Sequence, residues 1–378
     1  MKLEIKEVKN AKDLKRFIYL PEKLYKNYPN WAPPFYPDEL KFFNPKHNDA
    51  FEKNETIMAL AWLDKKPVGR IMGVINPIYN QRKNETHARF CFLDCPDNTD
   101  ILNALIRFVE NWACSKGMSH LIGPMAFSDK DPQGMMIYGF EEKPVIATNH
   151  NPPYLPQLIH NQGFEKLYDL VSYLIPIPEQ LPERYLKALN RLKNNTSFKL
   201  VEFASKRQLK PWIVPLFRLV NDAYGHIYGF DPLTEHEMKA LANRYLPVLN
   251  PEFVKIIVDD NNQLLAFVVG MPELSGGIRK AKGRLLPFGW WHILRAMRNS
   301  RLLTLLLGAV HPEKRNHGFT LLLAESILSS ARKHGITEID SHLILEYNTP
   351  MRAECERLYG RQHKLYRLFI RPISVEST

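Results

Sequence analysis

Arg315 and Gly318 stand three residues apart in His311-Pro312-Glu313-Lys314-Arg315-Asn316-His317-Gly318-Phe319-Thr320, a polar stretch between two apolar ones. Before it runs LLTLLLGAV (302–310), and after it LLLAESILSSARKHG. A loop rich in backbone donors that opens a long helix is a seat for an anion. The unpaired N–H groups of the first turn and the positive end of the helix dipole converge there. A diphosphate fits best, with Arg315 supplying charge and Gly318 letting the backbone come close. The plainer reading, an R-x-x-G turn that caps a helix, gives way because the order is strand, loop, helix, strand.

The elements that must position this loop can be read on both sides of it. TEIDSHLIL reads as the next strand and ends in Glu346-Tyr347-Asn348. Upstream, FKLVEF (198–203) reads as a strand, and Pro211 to Tyr224 and Thr234 to Leu246 as helices. FVKIIVDD and QLLAFVVGM form a hairpin over Asn261-Asn262, and a last strand is expected over Leu365 to Arg371. The first half repeats this order. KLEIKEV leads to a helix over Ala11 to Tyr25, then to the hairpin TIMALAWLD/PVGRIMGVIN over Lys65-Lys66. RFCFLDC precedes a helix over Ile101 to Lys116 that Gly117 ends, and Asn151 to Phe164 parallels Asn348 to Gly360. The expected division is residues 1–178 and 179–378.

One difference separates the copies. Where the second has Arg315-x-x-Gly318, the first has Pro96-Asp97-Asn98 after Cys95, an acidic turn that would repel a diphosphate. The first copy is therefore expected to be degenerate. Two segments fit neither copy. Gly123 to Gly134 is a polar loop in which Ser128 and Asp129 are candidate substrate contacts. GRLLPFGWWHILRAMRNSR (283–301) is apolar on one side and basic on the other. Its Trp290 and Trp291 are expected either to line a substrate channel or to pack between the halves, and a peripheral membrane contact is a further expectation.

Composition narrows the class. The 378 residues are 45% hydrophobic and 24% charged, an ordinary globular balance. No secretory signal is visible, and the longest apolar run is too short to span a bilayer. Cys91, Cys95, Cys114 and Cys355 have no framework or zinc spacing, so a cytoplasmic protein without a metal is expected. The net charge of +11 comes with no nucleic-acid motif, so no specific nucleic-acid partner is expected.

At Arg315 to Thr320 the chain resembles the GNAT acyltransferase superfamily, whose pyrophosphate loop reads Arg/Gln-x-x-Gly-x-Gly/Ala and binds coenzyme A. The resemblance implies an α/β chain of two tandem GNAT-like folds, each a mixed, mostly antiparallel central sheet flanked by helices. It implies acetyl-CoA or a longer acyl-CoA as co-substrate, held by Arg315, Asn316, His317, Gly318, Phe319 and Thr320. Backbone from Leu306 through Gly308 to Val310 would serve the thioester, and Asn348 would follow the fifth strand. Thr320 departs from the small last position, and Met351 and Cys355 fill places where the family has a small residue and a tyrosine. GPMAFS, NHNPPY and LLPFGWW further resemble a bacterial group of tandem acyltransferases, the YghO-like proteins.

Acyl transfer to an amine needs a base, a stabilised thioester oxygen and an acid for the thiolate. Glu346 and His342 are candidate bases, sharing one face if the strand is continuous, although Glu346 also reads as an exposed strand end. Asn348 joins them as a candidate catalytic residue, and Tyr347 or Tyr359 could be the acid. The function expected is an N-acyltransferase acting on a primary amine of a small-molecule or lipid-like acceptor. Two other readings stay open: a Fem-type aminoacyltransferase, and a non-catalytic acyl-CoA sensor. The oligomeric state is not legible.

Overall fold

The computed structural model describes residues 2–28, 30–193, 197–246 and 248–373. Fourteen strands among them join in one mostly antiparallel sheet. They are β1 (Leu3–Glu7), β2 (Glu55–Leu63), β3 (Lys66–Ile75), β4 (His87–Asp94), β5 (His120–Gly123), β6 (Met135–Tyr138) and β7 (Glu165–Pro176). The second copy supplies β8 (Phe198–Glu202), β9 (Val254–Asp259), β10 (Leu264–Pro272), β11 (Leu302–Val310), β12 (Glu338–Asp340), β13 (Ile344–Leu345) and β14 (Arg361–Pro372). The order is β1-β2-β3-β4-β5-β14-β7-β12-β11-β10-β9-β8.

That order holds an exchange. β14, the last strand of the second copy, pairs with β5 of the first, and β7, the last of the first copy, pairs with β12 of the second. β7 and β14 also pair with each other, from Arg361↔Leu174 to Ile370↔Glu165. The two copies therefore exchange their last strands, and one sheet runs through both.

Parallel pairing occurs twice, at equivalent places. β4 meets β5 only over His87–Arg89, and β11 meets β12 only over Leu302–Thr304. Past those three-residue contacts the strands splay. Helices cover both faces. Thr99–Ser115 buries Ile101, Leu102, Leu105, Ile106 and Val109 against β3, as its helical spacing of apolar residues requires. It comes so close that a Cβ on Gly73 would meet Val109 at 2.9 Å. Leu105→Ala would cost about 2–5 kcal/mol. Phe319–Lys333 packs equivalently in the second copy, through Phe319, Leu322, Leu323 and Ile327.

Two details differ from the expected strands. The first hairpin turns at Asp64 and Lys65, with φ of 46° and 69°, so Lys66 opens β3. TEIDSHLIL is broken: β12 ends at Asp340 and β13 begins at Ile344. His342 between them has φ 57° and Ser341 bonds aside to Tyr173. His342, Ile344 and Glu346 therefore do not share one strand face.

Candidate functional site

Gly318 ends the loop after β11 in the left-handed region, with φ 78°, and is the N-cap of Phe319–Lys333. Only glycine suits it, because a Cβ would also lie 2.6 Å from Leu192. Its carbonyl accepts from the amides of Leu321 and Leu322 at 3.1 and 3.2 Å. The amides of Phe319 and Thr320 are left without an intrahelical acceptor, and no side chain caps the helix. Arg315 and Asn316 are exposed beside this opening, and among the described residues Arg315 has no ion pair. His317 turns back on the loop, its Nδ1 3.1 Å from the Lys314 and Arg315 carbonyls. The residues fit a diphosphate: two free amides, a cation and a cradle that a side chain would fill.

β11 leads from this opening into the molecule. Its register against β10 shifts between Val269 and Gly270, which leaves Leu306 as an extra residue. From Leu305 onward β11 has no partner on the β12 side. A cavity of about 1700 Å³ fills this region and continues between the copies. Leu306, Gly308, Val310, Arg315, Asn316, Gly318, Phe319, Thr320 and Asn348 all lie on its wall, as does Asp129. Most of the wall is apolar, including Phe35, Phe42, Phe92, Leu216, Val220 and Leu246. Tyr224 reaches it from Ile213–Tyr224 and donates to the Gly308 carbonyl at 2.7 Å, and burial pushes its phenol up to about 12.

Polar groups gather at the broken strand, where Ser341 and His342 line the cavity. Asp340, fully buried, accepts from Ser172 Oγ at 2.9 Å and lies 2.9 Å from His363 Nε2 and 3.4 Å from Lys364 Nζ. Burial alone would raise its carboxyl, but the His363 hydrogen bond and the Lys364 charge hold it well below the usual carboxylate range. Asp340 also accepts from the His342 backbone N–H at 2.8 Å, which pins the turn that aims His342 at the cavity. The Nε2 atom of His342 is buried and unpartnered, as are both ring nitrogens of His150, another wall residue. Burial lowers both histidines, His150 to about 4, so both are neutral at pH 7.

Other expected site residues lie elsewhere. Glu346 is outside the wall: its carboxylate takes Lys166 Nζ at 2.5 Å and the Asp169 amide at 3.0 Å. Tyr359 is 71% exposed with φ 63°, closing the C-terminus of Thr349–Arg357. Asn348 caps that helix, accepting from Met351 N–H at 3.4 Å. Ser128 accepts from Lys130 N–H within its own loop, and Asp129, partly buried, pairs with Lys130 at 3.1 Å. Trp290 and Trp291 line no part of the cavity and are 49% and 46% exposed, so they neither form its channel nor pack between the copies. His150, Tyr224 and the exchange of β7 and β14 were not readable, because each depends on contacts between segments far apart in the chain.

No protein-family model matches the chain. It is 27% identical over 377 residues to "Bacterial ceramide synthase" of Caulobacter vibrioides, covering 97% of each. It is 28% identical over 374 residues to "Protein YghO" of Escherichia coli, covering 96% of this chain and 94% of that protein. Among solved structures, a tandem GNAT protein from the clavulanic acid biosynthesis pathway superposes with a TM-score of 0.58 at 12% identity, over 100% of both chains. The chain therefore has the tandem GNAT fold, and it resembles the YghO-like group of bacterial proteins over nearly its whole length.

Proposed function

We propose that this chain is a CoA-dependent N-acyltransferase that joins a long acyl group to the amine of a long-chain, lipid-like base. The observation that carries the reading is the cavity: it runs from an uncapped helix N-terminus, along the free edge of β11, into an apolar chamber beside His342, whose Nε2 has no partner, and His150, whose two ring nitrogens have none. Pockets for drug-sized ligands occupy roughly 300–1,000 Å³. A cavity of about 1700 Å³ with an apolar wall suits two alkyl chains better than an acetyl group and a small amine. The similarity to a protein named for ceramide synthesis, whose product is an N-acylated long-chain base, supports the same acceptor class.

In this reading Arg315 and the Phe319 and Thr320 amides hold the diphosphate, and β11 amides beyond Leu305 face the thioester oxygen. His342 takes the proton from the attacking amine. The new amide bond forms as the carbon–sulfur bond breaks, and Tyr224 stands beside β11 to protonate the leaving thiolate. A protein that only bound acyl-CoA would have no use for a buried, unpartnered Nε2 on His342 beside the unpartnered ring of His150.

The test is thiol release and product mass from acyl-CoAs of two to sixteen or so carbons, offered with a long-chain amino alcohol and with short polar amines. Amide formation on the long-chain base, favoured by long acyl-CoA, is expected. His342→Asn, which tolerates the left-handed backbone but offers no base, is expected to lower kcat by roughly 10²–10⁴ with an unchanged melting temperature. Because burial lowers His342, the wild-type rate should hold as pH falls past the ordinary histidine value of about 6.5 and drop only below it. Tight acyl-CoA binding without thiol release, or preference for short polar amines, would overturn the reading.

A further inference from the structure

Between Glu273 and Glu313 the chain carries seven cations (Arg279, Lys280, Lys282, Arg284, Arg295, Arg298 and Arg301) and no Asp or Glu. In the middle of that stretch Leu286, Phe288, Trp290, Trp291 and Leu294 are 79, 69, 49, 46 and 45% exposed. They are held outward by a firm base. On the inner side of Gly289–Arg298, Ile293 and Met297 pack on Met271, Leu274 and Ile278, and the helix approaches Gly277 so closely that a Cβ there would meet Ala296 at 2.8 Å. Ahead of the helix, the Gly283 carbonyl accepts from the Tyr36 amide at 2.9 Å, and Arg284 pairs with Glu22 at 2.8 Å.

A fixed cluster of large apolar side chains on a surface marks a site that something covers. The cations around it say what. Arg295 lies over the Trp291 ring at 5.3 Å, and Arg284 borders a shallow cleft lined by Lys12, Lys15 and Lys23. Trp290 and Trp291 beside Arg295 and Arg298 on one short helix, with Phe288 at its N-cap, is the chemistry of a bilayer interface, rings at the headgroup level and cations on phosphates. A second copy of this chain would bring the same cations face to face and repel itself. No helix among the described residues is long and apolar enough to cross a membrane, so the contact would be a surface one. We infer that Leu285 to Leu294 docks this protein on an anionic phospholipid surface. Met271 and Ile278 both support this helix and line the cavity, so docking sets the cavity wall against the lipid.

The experiment is flotation of the full chain with vesicles of phosphatidylglycerol and phosphatidylcholine, or of phosphatidylcholine alone, at low and high salt. Binding is expected to the anionic vesicles and to weaken as salt screens it. Leu286→Ser with Phe288→Ser should weaken partitioning roughly tenfold or more, while Arg295→Ser with Arg298→Ser should act on anionic vesicles only. All four side chains lie in the exposed segment, and melting temperatures should stay unchanged. Absence of vesicle binding, or binding that both variants retain, would overturn the inference. So would a change from dimer to monomer in the Leu286/Phe288 variant, which would assign the patch to a protein interface. The assay holds no acyl donor or amine, so its failure and that of the acyl-transfer reading are separate results.

Discussion

The helix Thr99–Ser115 of the first copy begins under a side-chain cap, Asn98 Oδ1 accepting from the Ile101 amide at 3.0 Å. Its counterpart Phe319–Lys333 begins at Gly318 with no side-chain cap. The first seat is filled by the protein and flanked by Asp94 and Asp97, whereas the second is open and flanked by Arg315. The splay past β4 is narrowed in the same spirit. Met125 N–H donates to the Phe90 carbonyl at 2.9 Å, and buried Arg89 donates to the Phe127 carbonyl at 2.7 Å while stacking on Tyr79. Past β11 the Gly308 carbonyl takes the Tyr224 hydroxyl, but among the described residues no backbone segment bonds across the splay as Met125 does. One fold used twice thus gives a copy whose helix start is capped by Asn98 and a copy whose helix start has no side-chain cap.

The largest effect is expected at the seam the copies share. Asp340→Ala would leave Lys364 buried without its carboxylate and untie the His342 turn, at a cost of about 3–5 kcal/mol in urea unfolding. Because the folded carboxyl is depressed, its contribution is full above the unfolded value of about 3.9 and is lost as pH falls through the folded value. Wild type should therefore lose stability in acid along a limb that the variant lacks. Independent unfolding of two halves in wild type would break this view of β7 and β14.

A smaller effect separates the two helix starts. Arg315→Ala should weaken CoA binding by about 1–3 kcal/mol and leave stability alone. Asn98→Ala should do the reverse, costing about 1 kcal/mol of stability with CoA affinity unchanged. Calorimetry and thermal melts on the same two variants check both halves of the statement. Loss of CoA affinity in Asn98→Ala would show that the copies are not divided in this way.

Much of this division was legible in the residues. Arg315-x-x-Gly318 against Pro96-Asp97-Asn98 is a local contrast, and local contrasts survive folding: strand β11 and both helices lie where their apolar spacing puts them. What depends on tertiary packing was not legible. Ser341 bonding to Tyr173 breaks the strand through His342, and Lys166, 180 positions away, claims Glu346. Trp290 and Trp291 look equally apolar whether they line a channel or face outward, and only Ile293 and Met297, packed beneath them, fix which side is out.

The central claim, that only the second copy receives acyl-CoA, is tested most directly by counting CoA per chain by calorimetry and mapping amide exchange on the same sample. One CoA per chain is predicted, with protection gained at Arg315 to Thr320 and along Leu305 to Val310 and none at Cys95 to Thr99. Two CoA per chain, or protection at Cys95 to Thr99, would contradict it.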